Sequence, residues 1–214
     1  MGQVTVNIYT DPLCCWSYAF EKEWRTLLAN YGDSIDYHYI MCGMIPTWAT
    51  YNDPMNSVSK PLQMGPVWMH ASQVTHTKMA YQVWHEDPPS SSYPACIAVK
   101  TAALQSSEAG EQYLLKVRSA IMNDGRNIAK TQVLFDVAQQ LGDTVLDFEQ
   151  FKRDWAQGRG KESFRADLQK ASYHKIGRYP TLTFQRPDGK GIIITGYRPY
   201  EVLEQAYRQV GEKS

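Results

Sequence analysis

The stretch Asp11-Pro12-Leu13-Cys14-Cys15-Trp16-Ser17 carries the chain's most reactive residue types at a telling place. It follows the β-branched, alternating run Val4 to Tyr9, which reads as a strand, and it opens a helical pattern. A cysteine at a strand-to-helix turn suits thiol chemistry. The first backbone N–H groups of a helix lack internal partners, and the helix dipole is positive there. Both favour the thiolate, which is the nucleophile in disulfide exchange. Partial exposure of Cys14 after the Pro12 turn is expected, and so is its rank as the most reactive thiol. A dithiol site reads Cys-x-x-Cys, but Ser17 stands where the second cysteine would be. Ser17 is expected to donate a hydrogen bond to a Cys14 thiolate. Cys15 cannot readily resolve its neighbour; it is expected to pack against Trp16 and the core as a secondary thiol. Cys42 and Cys96 are expected to be buried hydrophobes. Far downstream, Tyr179-Pro180 begins another strand-like run.

The elements that must position these residues are legible. Phe20, Trp24, Leu27, Leu28 and Tyr31 recur at helical spacing, and Gly32 suits the helix end. Ile35 to Met41 reads as a second strand, so a parallel βαβ unit opens the chain. Cys42 to Ser92, rich in Pro, Met and Trp, reads as loops and short helices. From Tyr93 to Ile176 the pattern is helical. Ser92, Thr131 and Asp147 are expected N-caps, Gly142 a helix end, and the last helix of this stretch spans about Lys161 to Ile176. Thr181 to Gln185 and Gly191 to Thr195 read as strands joined by Pro187-Asp188-Gly189, a hairpin signal. A helix from about Tyr200 to Val210 closes the pattern.

Composition excludes several functions. Lys plus Arg and Asp plus Glu are 22 each, so the net charge is zero and nothing favours nucleic acid or an anionic membrane surface. No apolar run approaches the ~20 residues of a membrane span. Met1-Gly2-Gln3 shows neither a basic region nor a cleavage site, so no export signal is expected and the four cysteines read as reduced cytoplasmic thiols. His70, His76 and His85 match no metal-site spacing, and no metal is expected. Met64, Met69, Trp48 and Trp68 read as core filling, with the lining of a substrate groove beneath the inserted helices as the alternative. Lys161, Arg165 and Lys170 read as a solvated helix face.

The chain resembles the DsbA family of thioredoxin-fold proteins. It looks closest to the cytosolic branch of FrnE-like proteins, kappa-class glutathione transferases and 2-hydroxychromene-2-carboxylate isomerases. The turn at Cys14, the Tyr179-Pro180 pair and Tyr93-Pro94-Ala95-Cys96 carry the likeness. It implies an α/β, thioredoxin-like fold interrupted by a helical insertion domain. Residues 1–55 and 160–214 would form the first part and 56–159 the second, with a groove between them. It further implies a cis Tyr179–Pro180 bond, Cys14 and Ser17 as catalytic residues, and Tyr179, Pro180 and Trp16 as substrate-binding residues. The implied partners are protein or peptide thiols and disulfides, or glutathione, with no tightly bound cofactor. The departures are Cys15 and Ser17, where dithiol members read Cys-Pro-x-Cys; glutathione-using relatives place Ser where this chain has Cys14. The leading expectation is a DsbA-like oxidoreductase or isomerase that uses Cys14 with an external resolving thiol. One alternative is a non-catalytic binding protein such as a ClpXP-protease adaptor. Another is a glutathione-dependent transferase or isomerase of kappa type.

Overall fold

A computed structural model describes residues 4–211. Met1, Gly2 and Gln3, on which the expectation of no export signal rested, lie outside them. The fold is the expected α/β, thioredoxin-like one, with helices inserted between two halves of a sheet. Strand β1 (Val4–Thr10) runs through its middle, parallel to β2 (Ile35–Met41) and antiparallel to β3 (Thr181–Gln185). β4 (Gly191–Thr195) completes the order β2-β1-β3-β4, joined to β3 by the hairpin at Pro187-Asp188-Gly189. Gly189 sits at φ +83°, a backbone conformation that glycine adopts without cost.

Register decides where the chemistry can happen. Tyr9 pairs with Thr181 in the antiparallel ladder. The end of β1 therefore lies beside the start of β3, and the turn at Cys14 meets Tyr179-Pro180 although 165 residues separate them.

Side-chain alternation then covers both faces. Val4, Val6 and Ile8 pack with Phe20, Trp24 and Leu27 of α1 (Cys15–Tyr31) and with Leu203, Ala206 and Val210 of α9 (Tyr200–Gly211). Tyr9, Ile40 and Cys42 face the other way, onto Ala171 of α8 (Arg159–Tyr173). Lys170 does not belong to a purely solvated face: its Nζ donates to Asn7 Oδ1 at 2.8 Å and ties α8 to β1. Lys161 and Arg165 are exposed, as expected.

Between β2 and β3 run α2 (Met64–Thr75), α3 (Val83–Glu86), α4 (Tyr93–Ala102), α5 (Ser107–Met122), α6 (Thr131–Leu141) and α7 (Phe148–Ala156). Together with α8 they enclose a second core that includes Trp68, Trp84, Tyr113 and Phe151. Two expected caps are corrected. The Ser92 hydroxyl accepts from Ile45 N at 3.0 Å instead of capping α4, and Ser91 Oγ accepts the Tyr93 N–H at 3.1 Å. Thr131 is the first residue inside α6, and Lys130 holds the cap position without a side-chain bond. Asp147 caps α7 by accepting from Gln150 N at 2.8 Å. The helix expected over Lys161 to Ile176 starts earlier, at Arg159, and ends at Tyr173. Among the described residues, no helix is long and apolar enough to cross a membrane.

Candidate active site

The turn is built by Asp11. Its carboxylate Oδ1 accepts the Leu13 N–H at 2.8 Å, and its backbone carbonyl accepts the Cys14 N–H at 3.1 Å. Oδ2 accepts from Met44 N at 2.6 Å and from the Cys96 thiol at 3.4 Å. One wholly buried carboxylate thus pins the active-site turn to the loop after β2 and to α4. The Asp-Pro-Leu sequence is an Asx-turn signal that sequence reasoning passed over. Burial pushes the Asp11 pKa up, against the pull of the Met44 and Leu13 N–H groups.

Cys14 is the N-cap of α1. Its Sγ accepts the Ser17 N–H at 3.4 Å and donates to the Tyr179 carbonyl at 3.5 Å. The expected Ser17 hydroxyl bond is replaced by this backbone bond. The Ser17 hydroxyl is buried without a partner of hydrogen-bond geometry, yet it lies close enough to the sulfur to pull the Cys14 pKa down. The Tyr179–Pro180 peptide bond is cis.

Partial exposure of Cys14 is corrected: only 5% of its surface is accessible. Desolvation by this burial pushes its pKa up, and the Asp11 charge adds to that. The contacts with Ser17 and the more distant Arg118 guanidinium pull it down. Burial pushes Cys15 and Cys96 well above the ordinary thiol value and raises Cys42 too. Arg118, a cation no sequence signal marked, comes from α5 and is 2% exposed. It pairs with Glu21 Oε2 at 2.9 Å and donates to Thr10 Oγ1.

These shifts set a pH dependence. Each thiol has a folded pKa above its ordinary value near 9.0. The stability they contribute is fully present below that value and is lost as pH rises through the folded values. Thermal melts should therefore show a steady Tm at neutral pH and a falling one above about pH 9. A Tm that holds to pH 10.5 would contradict the buried, protonated state of these thiols.

Cys14 opens onto a cleft of about 860 Å³, with Cys15, Trp16, Tyr179, Met44 and Tyr197 among its walls. The structure thus brings together Cys14, Cys15, Trp16 and Tyr179. Ser17 lies behind the sulfur, and Pro180 is buried at the start of β3. Cys15 packs into the apolar core with Leu13, Ala19 and Met41. Trp16 meets His70 edge-on at 5.9 Å between ring centres and, at 6.3 Å, Tyr197, a cleft-wall residue that sequence reasoning missed. Trp68 is core, Met64 is buried but reaches the cleft, and Met69 is exposed. Among the described residues, no three His, Cys, Asp or Glu side chains converge on a metal position.

The chain matches the thioredoxin family over residues 7–205. It is 30% identical over 204 residues to the ClpXP adapter protein SpxH of Halalkalibacterium halodurans, covering 94% of this chain and 66% of that protein's length. In fold it is similar to the cytosolic disulfide reductase DsbM from Pseudomonas aeruginosa, with a TM-score of 0.72 and 19% identity over 96% of this chain and 99% of that one. A structure of DsbM with GSH matches with a TM-score of 0.67 and 18% identity, covering 95% and 93%.

Proposed function

The chain belongs to the thioredoxin family, and on that premise we propose that it exchanges thiols and disulfides through Cys14 alone. The observation that carries this reading is the position of Cys14 Sγ: at the N-cap of α1, on the cleft wall, against the Tyr179 carbonyl that precedes Pro180. Cys14 gives up its proton and attacks one sulfur of a disulfide RS–SR′. The Cys14–S–SR bond forms, the S–S bond breaks, and R′S⁻ leaves with the proton. Ser17 has no thiol to attack this mixed disulfide. An external thiol therefore does so, taking RS into a new disulfide and returning Cys14 to its reduced form. Glutathione is the external thiol we favour, supported by the GSH-bound fold relative. The partner lies along Tyr179, whose backbone offers an edge for an added strand, with Trp16 as a side wall. Protein or peptide disulfides fit such an edge. Four unpaired cysteines suit the reducing cytoplasm.

A second reading has its own support. The relative at 30% identity is named a ClpXP adapter protein. Met55, Leu62, Met69 and Val74 are exposed on the loop before α2 and on α2 itself. In that reading the fold binds a partner protein, and Cys14 takes no covalent part.

Ser17→Cys separates the two. The Ser17 N–H already points at Cys14 Sγ, so a thiol at position 17 stands where it can attack the mixed disulfide internally. The variant should reduce insulin with dithiothreitol severalfold faster than the native chain. No gain would mean that Cys15, in place of the family's proline, has changed the turn, and would strengthen the binding reading.

A further inference from the structure

The cleft carries a charge imbalance that the whole chain does not. Three charged side chains line it: Asp53, Arg178 and Arg198. Asp53 is turned in on its own loop. Its Oδ1 accepts from Met55 N at 3.0 Å and Asn56 N at 3.2 Å, and its Oδ2 from Asn56 Nδ2 at 2.6 Å. The two arginines have no such counterweight. The Arg178 guanidinium rests against the Met55 thioether, and Arg198 Nη1 donates to the neutral Tyr197 carbonyl at 2.8 Å. By contrast, the cations of the interior are matched by acids: Arg118 by Glu21, Arg25 by Glu21 and Glu111, and Lys100 by Asp167. The two cleft arginines stand on segments that are tied together. Arg178 precedes Tyr179-Pro180, Arg198 follows β4, and Gly196 N donates to the Pro180 carbonyl at 2.8 Å between them. The N-terminus of α1, from which Cys14 faces the cleft, has no acidic residue in its first turn. A guanidinium offers carboxylates a planar, two-pronged donor set.

From this geometry we propose that the cleft selects disulfides whose attacked cysteine is flanked by carboxylates, with Arg178 and Arg198 as the residues that set the preference. The inference rests on exchange at Cys14 and names the substrate class that this exchange takes. The flanking carboxylates dock on the arginines while the Cys14 thiolate forms its new bond to the substrate sulfur and the departing half leaves as a thiolate. The same chemistry is present in an acidic polypeptide segment and in oxidised glutathione.

The test follows mixed-disulfide formation on the full chain by intact mass against time. The probes are symmetric disulfides of blocked tripeptides Glu-Cys-Glu, Gln-Cys-Gln and Lys-Cys-Lys, together with oxidised glutathione. Solvent-exposed charge pairs are individually weak and act largely on association. The expected order is Glu, then Gln, then Lys, with about a tenfold spread at low salt that shrinks at high salt. Arg178→Gln with Arg198→Gln should bring the Glu-to-Lys ratio close to one. A fast reaction with both glutathione and the Glu peptide assigns the preference to carboxylates in any peptide. Fast glutathione alone, slowed in the double variant, assigns it to a small anionic ligand. Equal rates for all four disulfides, or a ratio unchanged in the double variant, overturn the inference. No adduct with any disulfide removes exchange at Cys14 itself, and this inference with it.

Discussion

Cys14→Ser should abolish mixed-disulfide formation while leaving the fold standing. Serine is among the strongest N-caps, so its hydroxyl can take over the Ser17 N–H that the sulfur now accepts. Its size fits a position already nearly closed to solvent. A hydroxyl does not ionise in the range where a thiol does, so the nucleophile is gone. The other cysteines cannot stand in. Cys42 and Cys96 do not line the cleft, Cys15 packs its side chain into the apolar core, and burial raises all three thiol pKa values strongly. Adducts with oxidised glutathione should fall to background, while the Tm stays within about 3 °C of the native value. Adducts that persist in Cys14→Ser would place the reactive thiol elsewhere.

Gly160→Ala should destabilise the chain heavily, although helix propensity alone argues the reverse. Gly160 lies in the first turn of α8, where alanine is favoured over glycine by about 1 kcal/mol in a helix. Packing wins here. A Cβ at this position would come to 2.0 Å from Thr101 Oγ1 and 2.8 Å from the Ile97 carbonyl. Those two groups already share a hydrogen bond of 2.8 Å in α4, so Thr101 cannot swing away without giving up that bond and leaving its buried hydroxyl without a partner. Backbone cannot yield as a side-chain end can, so α4 and α8 must separate. Overpacking of this kind costs about 1–3 kcal/mol, and a backbone clash puts this site at the upper end. A Tm lower by about 4–10 °C is expected. The effect reaches the site as well. α8 carries Asp167, which accepts the Met41 N–H at 2.8 Å, and the chain leads from α8 directly into Arg178 and Tyr179. A variant that melts at or above the native temperature would show that the two helices are free to move apart.

Legibility in the sequence followed the range of the interactions. The strands, α1, α9 and the β3–β4 hairpin could be read because their signals are local: alternation, helical spacing and a Pro-Asp-Gly turn. Cys14 could be read because a strand, a turn and a helix meet around it. Tyr179-Pro180 could be placed beside it only through the family resemblance, since the pairing of Tyr9 with Thr181 joins distant segments. The burial of Cys14 could not be read. It depends on Tyr179, whose carbonyl meets the sulfur from 165 residues along the chain. Arg118 was hidden for the same reason, its acid partner Glu21 lying 97 residues away. Gly65-Pro66 masked α2, although Met64, Trp68 and Ala71 recur at helical spacing and are its buried face. Ser92 obeyed the N-cap rule in sequence, but a long-range acceptor role at Ile45 outcompeted it.

Oxidised glutathione on the native chain gives the most direct test of Cys14 as the exchanging thiol. The chain would be incubated with it at mildly alkaline pH, where part of a thiol with a raised pKa is ionised, then weighed intact and mapped by peptide. A single glutathione adduct on the peptide that holds Cys14, released by excess thiol, is the predicted result. An unmodified chain, or an adduct on Cys42 or Cys96 in its place, would contradict it.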